Sequence, residues 1–161
     1  MITGGVEQAV AARVRAAWMK FRELGGILCM LKASLRMKGV VYKACVCIML
    51  TYVAETQAIK VGVFQRLQAT ERRMLRMICR VTLKDKVKST VTALRVGVDD
   101  LEEHLRQKRL RWFGHIVRRD DGVEIKKVLE LKMEGQRKRG RPVKQWIDVV
   151  EEDIRKRGVV Q

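Results

Sequence analysis

Lys108-Arg-Leu-Arg-Trp-Phe-Gly-His-Ile-Val-Arg-Arg119 reads both as a charge run and as a helix. From His104 to Arg119 the chain holds six Lys or Arg and no acidic residue. A solvated tail carries charge without an apolar pattern, whereas here Leu105, Leu110, Trp112, Phe113, Ile116 and Val117 recur at helical spacing. At about 100° per residue, Leu101, Leu105, Trp112 and Ile116 fall within one arc of ~60°. His104, Arg111, His115 and Arg118 fall on the opposite side. The stretch is therefore a packed helix presenting a basic face.

Just upstream, Asp99-Asp100 stands where helix N-caps belong, and Glu102 and Glu103 occupy the first turn that a helix dipole favours for acids. The alternative for two adjacent aspartates is a polymerase metal dyad. That site needs a β-hairpin and a third carboxylate, and no strand pattern precedes Asp99, so capping is the reading. Downstream, Asp120-Asp121-Gly122 is a turn. A helix is expected over residues 123–133, and a last one over 143–156. In the last, Val143, Trp146, Ile147, Val150 and Ile154 share a face, with Pro142 at the first turn. Between these two lies Gly135-Gln-Arg-Lys-Arg-Gly-Arg-Pro142. Its Arg139-Gly-Arg-Pro142 matches the core of an AT-hook, in which glycine lets the backbone sink into a narrow minor groove. General phosphate contact, a basic linker or import signal, and a true minor-groove reader all remain open for this loop.

Toward the N-terminus, residues 63–79 give the cleanest amphipathic pattern. Val63, Phe64, Leu67, Met74, Leu75 and Ile78 occupy one side. Arg66, Arg73 and Arg80 repeat every seven residues on the other, joined by Arg72 and Arg76. Seven helical residues rise about 10.5 Å, so the guanidiniums form a row facing water or a phosphate backbone. Glu71, the lone acid of that stretch, falls on the apolar side. Ser89 is placed as the cap of a short helix that ends at Gly97. Residues 35–52, capped by Ser34, are apolar on most sides and are expected to be the most buried element. Residues 6–23 form the first helix, with Val10, Val14, Ala17, Trp18 and Phe21 on one arc. Gly25-Gly26 is expected to end it through a positive φ, and Gly62 to mark a break. There is no internal repeat and no strand alternation. The fold class is all-α: an irregular bundle of about five to six helices with a basic loop before the last. Residues 1–97 and 98–161 are read as its two parts.

The chain of 161 residues has 47% hydrophobic residues, enough for a folded core, and a formal net charge of +17. Residues 66–88 hold eight basic and two acidic side chains, and residues 104–144 hold fourteen and five. The charge is thus concentrated, and such a field attracts polyanions. Cys45 and Cys47 are too close for a zinc pair, and neither histidine is near a cysteine in sequence, so Cys29, Cys45, Cys47 and Cys79 are read as reduced thiols with no metal. No signal peptide is visible, and the most apolar run, residues 40–54, is shorter than the ~18–20 residues that cross a bilayer. The expected location is the nucleus or cytoplasm, with no membrane partner. No nucleophile–base pair, metal cluster or phosphate-cradling loop is present, so neither a cofactor nor catalysis is expected.

Arg109-Leu-Arg-Trp-Phe-Gly-His-Ile-Val-Arg-Arg119, followed by Arg139-Gly-Arg-Pro-Val-Lys-Gln-Trp146, resembles the C-terminal region of LINE-type non-LTR retrotransposon reverse transcriptases. Upstream pieces agree in order: Arg13-Val-Arg-Ala-Ala-Trp18, Tyr52-Val-Ala-Glu55, and Glu71-Arg-Arg-Met-Leu-Arg76 with Leu83-Lys-Asp-Lys-Val-Lys88. The resemblance covers nearly the whole chain and implies the thumb-like helices after the polymerase palm. The palm's aromatic-Ala-Asp-Asp motif is missing, as is an endonuclease, so a fragment is expected. One departure stands inside the matched part: the family's Tyr-Gly-x-Glu-x-Trp is Tyr52, Val53, Glu55 and Gln57 here.

These readings lead to an expected nucleic-acid partner (RNA, DNA or a hybrid), held by its phosphates. The candidate contacts are Arg66, Arg73, Arg76, Arg80, Arg111, Arg118, Arg119, Arg137, Lys138, Arg139 and Arg141. His115 either donates to a phosphate or packs beside Gly114. Trp112 and Trp146 are core residues by their arcs, with base stacking as the alternative. A competing expectation is a degenerate or repurposed helical module that binds protein or self-associates, whose apolar faces, residues 40–52 above all, lie uncovered.

Overall fold

The computed structural model describes residues 3–119 and 145–158, and among them every regular element is helical. The chain divides into two compact units: Met1–Ala54 with Ile59–His104, and Glu55–Ala58 with Leu105–Gln161.

In the first unit, α1 (Thr3–Glu23) buries Val10, Ala17 and Phe21. The helix does not end on glycine at positive φ, since neither Gly25 nor Gly26 has one. The chain instead passes through Leu24 into a single further turn, α2 (Gly25–Leu28), which is anchored by the fully buried Leu28. Ser34 caps α3 (Leu35–Val41), its Oγ accepting the Met37 N–H at 3.2 Å. A π-helical turn over Tyr42–Cys47 and then α4 (Ile48–Thr51) continue the run. These one-turn segments raise the helix count slightly above five to six.

The run over residues 35–51 is not buried on most sides. Tyr42, Val46 and Leu50 are fully buried at a spacing of four, while Val40, Ile48 and Met49 are exposed. One stripe meets the neighbouring helices, and the opposite apolar stripe faces outward. Gly39 decides how closely α3 approaches α6 (Ser89–Val96): a Cβ there would lie 1.9 Å from the Val96 carbonyl oxygen. Only glycine allows that contact.

α5 (Val61–Cys79) holds Gly62 inside its first turn, so that glycine is not a break. Its apolar face is buried as the spacing predicts, through Val63, Leu67, Met74, Leu75 and Ile78. Ser89 proves to be the first residue of α6 rather than its cap, which is Lys88, and Gly97 closes that helix at φ 71°. Asp100 Oδ2 accepts the Glu102 N–H at 3.0 Å at the start of α7 (Leu101–Val117), the capping role expected of it.

The division between units falls inside α7, between His104 and Leu105. The second unit packs α7 from Leu105 onward with α8 (Trp146–Lys156), whose N-cap is Gln145; residues 142–144, expected at the start of that helix, lie outside the described residues. Asp148 Oδ2 accepts the Gln145 N–H at 2.7 Å at its start. Trp146 Nε1 donates to the Glu55 carbonyl at 2.6 Å, and its ring lies 6.4 Å from that of Phe113. That contact draws Glu55–Ala58 into this unit. No described helix is long and apolar enough to cross a membrane.

Candidate nucleic-acid interface

The arginines of α5 follow from its amphipathic spacing. With Leu67, Met74 and Ile78 turned inward, Arg66, Arg72 and Arg73 stand exposed and Arg76 half-buried. Arg72 Nη2 donates to Gln68 Oε1 at 3.1 Å, and Arg73 lies 5.4 Å from the centroid of the Trp18 ring. Arg80 departs from the row. It is the left-handed cap of α5 at φ 57°, and its Nη2 donates to the Cys29 carbonyl at 3.0 Å. Among the described residues, none of these five arginines pairs with a carboxylate.

Glu71, the acid of α5, sits 6% exposed on the inner face. Burial raises its carboxyl, the nearby Asp100 charge adds to this, and Arg72 opposes it, leaving a pKa of about 8. At neutral pH the group is therefore mostly protonated, and its Oε1 has no hydrogen-bond partner among the described residues. The Tyr42 hydroxyl, also buried and without such a partner, is pushed up by burial first and then by Glu71 and Cys47. The face that α5 turns to solvent thus carries positive charge that its own acid does not cancel.

Beyond α5, the loop to α6 adds exposed Lys84, Lys86 and Lys88, which the candidate contacts left out. The acid in that loop, Asp85, is tied into a turn: its Oδ2 accepts the Thr82 N–H at 2.6 Å and the Thr82 hydroxyl at 2.8 Å. These bonds, the backbone one first, hold its carboxyl below the usual range.

The basic block of α7 is built differently. Arg111, Arg118 and Arg119 are exposed, and the Arg118 guanidinium lies over Gly114. His115 is exposed as well. Arg106 and Arg109, however, turn toward α8. Asp153 Oδ1 lies 3.3 Å from Arg106 Nε, and Oδ2 lies 2.7 Å from both Nε and Nη2 of Arg109. Asp153 is 4% and Arg109 9% exposed. Two of the six cations in that run are thus engaged with a buried carboxylate. The sequence held a trace of this, because Asp153 sits next to the apolar Ile154 in a helix with a sharply apolar face. Nothing along the chain, however, links it to residues 44 and 47 positions away.

Trp146 is half-buried and uses its N–H and its ring within the second unit. Arg137, Lys138, Arg139 and Arg141, and the helix expected over residues 123–133, lie outside the described residues. Among the described residues no group of three or more His, Cys, Asp or Glu is placed to hold a metal ion. All four cysteines are free. Comparison with protein-family models, curated proteins and solved structures found no match.

Proposed function

We propose that the chain is a nucleic-acid-binding helical piece of a LINE-type retrotransposon reverse transcriptase, holding template and primer or target DNA by phosphate contacts without catalysis of its own. The observation that carries the binding role is the α5 face: Arg66, Arg72 and Arg73 exposed and free of carboxylate partners among the described residues, with Glu71 withdrawn into the core. Phosphate contact asks for cations on rigid elements rather than for base readout. The reading assigns the protein to the nucleus or cytoplasm, where such a partner resides.

The family assignment rests on the ordered motifs, and one backbone angle supports it. Val53 stands where the family has glycine, and its φ is 55°. That left-handed region is open to glycine without strain and is unfavourable for a β-branched residue. The departure from the motif thus falls where the backbone still has the shape glycine suits.

The test is a salt titration of duplex DNA binding. With about five phosphates neutralised, log K falls against log salt with a slope near −4.5. A slope near zero removes the reading. A second reading, a protein-interaction or self-associating module, draws on exposed Val40, Ile48, Met49 and Tyr52, which are 58%, 48%, 38% and 65% accessible. Sedimentation with and without nucleic acid separates the two: concentration-dependent association in its absence favours the second.

A further inference from the structure

Within the first unit, α1, α2 and the C-terminal half of α5 border an open hollow of about 490 Å³, within the ~300–1,000 Å³ range of small-ligand clefts. Its walls are Trp18, Phe21 and Arg22 of α1, Cys29 after α2, and Arg73 and Met77 of α5. The hollow is therefore aromatic and cationic, and among the described residues no acidic side chain lines it.

We infer that this hollow is a nucleobase site: it takes an unpaired base of a nucleic-acid strand against the Trp18–Arg73 pair, with Arg22 set to meet the adjoining phosphate. The inference rests on the proposed nucleic-acid binding and adds a preference for single strands to it. Three observations carry it. First, the indole is held in place: buried Phe21 meets Trp18 edge-on, with centroids 5.6 Å apart and planes at 74°. Second, the Arg73 guanidinium stands over the indole ring, its Cζ 5.4 Å from the centroid, so the pair offers a stacked cationic and aromatic edge. Aromatic faces and guanidinium planes are the two surfaces on which proteins stack extruded bases. Third, the far wall is fixed, because Arg80 Nη2 holds the Cys29 carbonyl at 3.0 Å and so ties the end of α5 to the end of α2.

The chemistry narrows the ligand. Exposed Arg22 and Arg73 favour an anion, half-buried Trp18 and exposed Met77 favour an apolar flat body, and a nucleotide combines the two. A base inside a duplex is paired and stacked and cannot reach the hollow, so the occupant is a single-stranded or extruded nucleotide.

The experiment compares binding of the full chain to a short oligothymidylate and to a strand of equal phosphate count made of abasic sites, at one salt concentration. The intact strand should bind about 5- to 100-fold more tightly, the range a single stacked base accounts for, and should quench tryptophan fluorescence where the abasic strand does not. Trp18→Leu should bring the ratio of the two affinities close to one. Should that variant fail to fold by circular dichroism, Gly25→Leu takes its place. Gly25 also borders the hollow, and a Cβ there meets nothing within 4 Å, so a leucine has room to take up space that a base would need. A ratio near one in the parent chain overturns the base site, as does a ratio that Trp18→Leu and Gly25→Leu leave unchanged. If both strands bind equally with a steep salt slope, the base site fails and phosphate binding stands. If neither strand binds, both fail together.

Discussion

α5 and α7 carry the same signal in sequence and use it in opposite ways. On α5 the acid goes inward and the arginines go outward, so the charge counted along the chain is charge that a partner meets. On α7 two arginines go inward, to an aspartate on α8. The difference lies in what each helix packs against. The inner face of α5 meets apolar side chains of its unit, and Glu71 adapts to that surrounding by keeping its proton. The inner face of α7 meets Asp153, and a buried carboxylate needs cations close by. A count of basic residues therefore measures the field of a molecule only after subtracting those held by a partner helix.

The largest expected effect breaks the α7 side. Asp153→Ala removes the carboxylate between Arg106 and Arg109 and should destabilise the protein by about 3–5 kcal/mol, as loss of one member of a buried ion pair does. Denaturant unfolding measures it, and a loss below about 1 kcal/mol would mean that these arginines are as solvated as those of α5.

The next effect concerns the α5 side and is read through pH. Glu71 has a folded pKa of about 8, above its ordinary 4.5. Between those values the folded state holds a proton that the unfolded state has released, so stability falls as pH rises and levels off above about 8. The slope is about 1.4 kcal/mol per pH unit, roughly 3 kcal/mol between pH 5 and pH 7. Glu71→Gln, which faces the same Tyr42, Asp100 and Arg72, should flatten this dependence. Thermal melts across that interval check it.

A smaller change sharpens the account of the first unit. Val53→Gly, at φ 55°, should raise stability by about 1 kcal/mol, the strain relieved minus the entropy glycine loses on folding. Decreased stability would mean that the Val53 side chain contributes more by packing than its backbone costs.

The smallest effect is the most direct comparison of the two helices. Arg66→Ala should reduce the salt slope by about 0.9, one phosphate contact, with little change in stability. Arg109→Ala should leave the slope alone while lowering stability. The reverse result would exchange the roles assigned to the two helices.

The long helices among the described residues and the apolar inner faces of α5 and α7 were legible along the chain because both depend on local spacing. Val63, Leu67, Met74 and Ile78 lie on one side of any helix built from those residues. The same holds for Leu101, Leu105 and Ile116, and for the caps at Ser34, Gly97 and Asp100. The glycines were harder to read. Gly25 and Gly26 continue in helical conformation, and the importance of Gly39 is a contact with Val96, 57 positions later, which no local pattern records.

By itself the sequence determined an all-helical chain with concentrated positive charge, because helix periodicity and charge are properties of neighbours in the chain. Only the tertiary structure decided which cations are available: Arg66, Arg72 and Arg73 face solvent, Arg80 holds a carbonyl, and Arg106 and Arg109 meet Asp153. It also decided that Trp18, Phe21 and Arg73 border one hollow. The reason is that burial and pairing depend on residues dozens of positions apart, whose approach is set by packing and not by spacing.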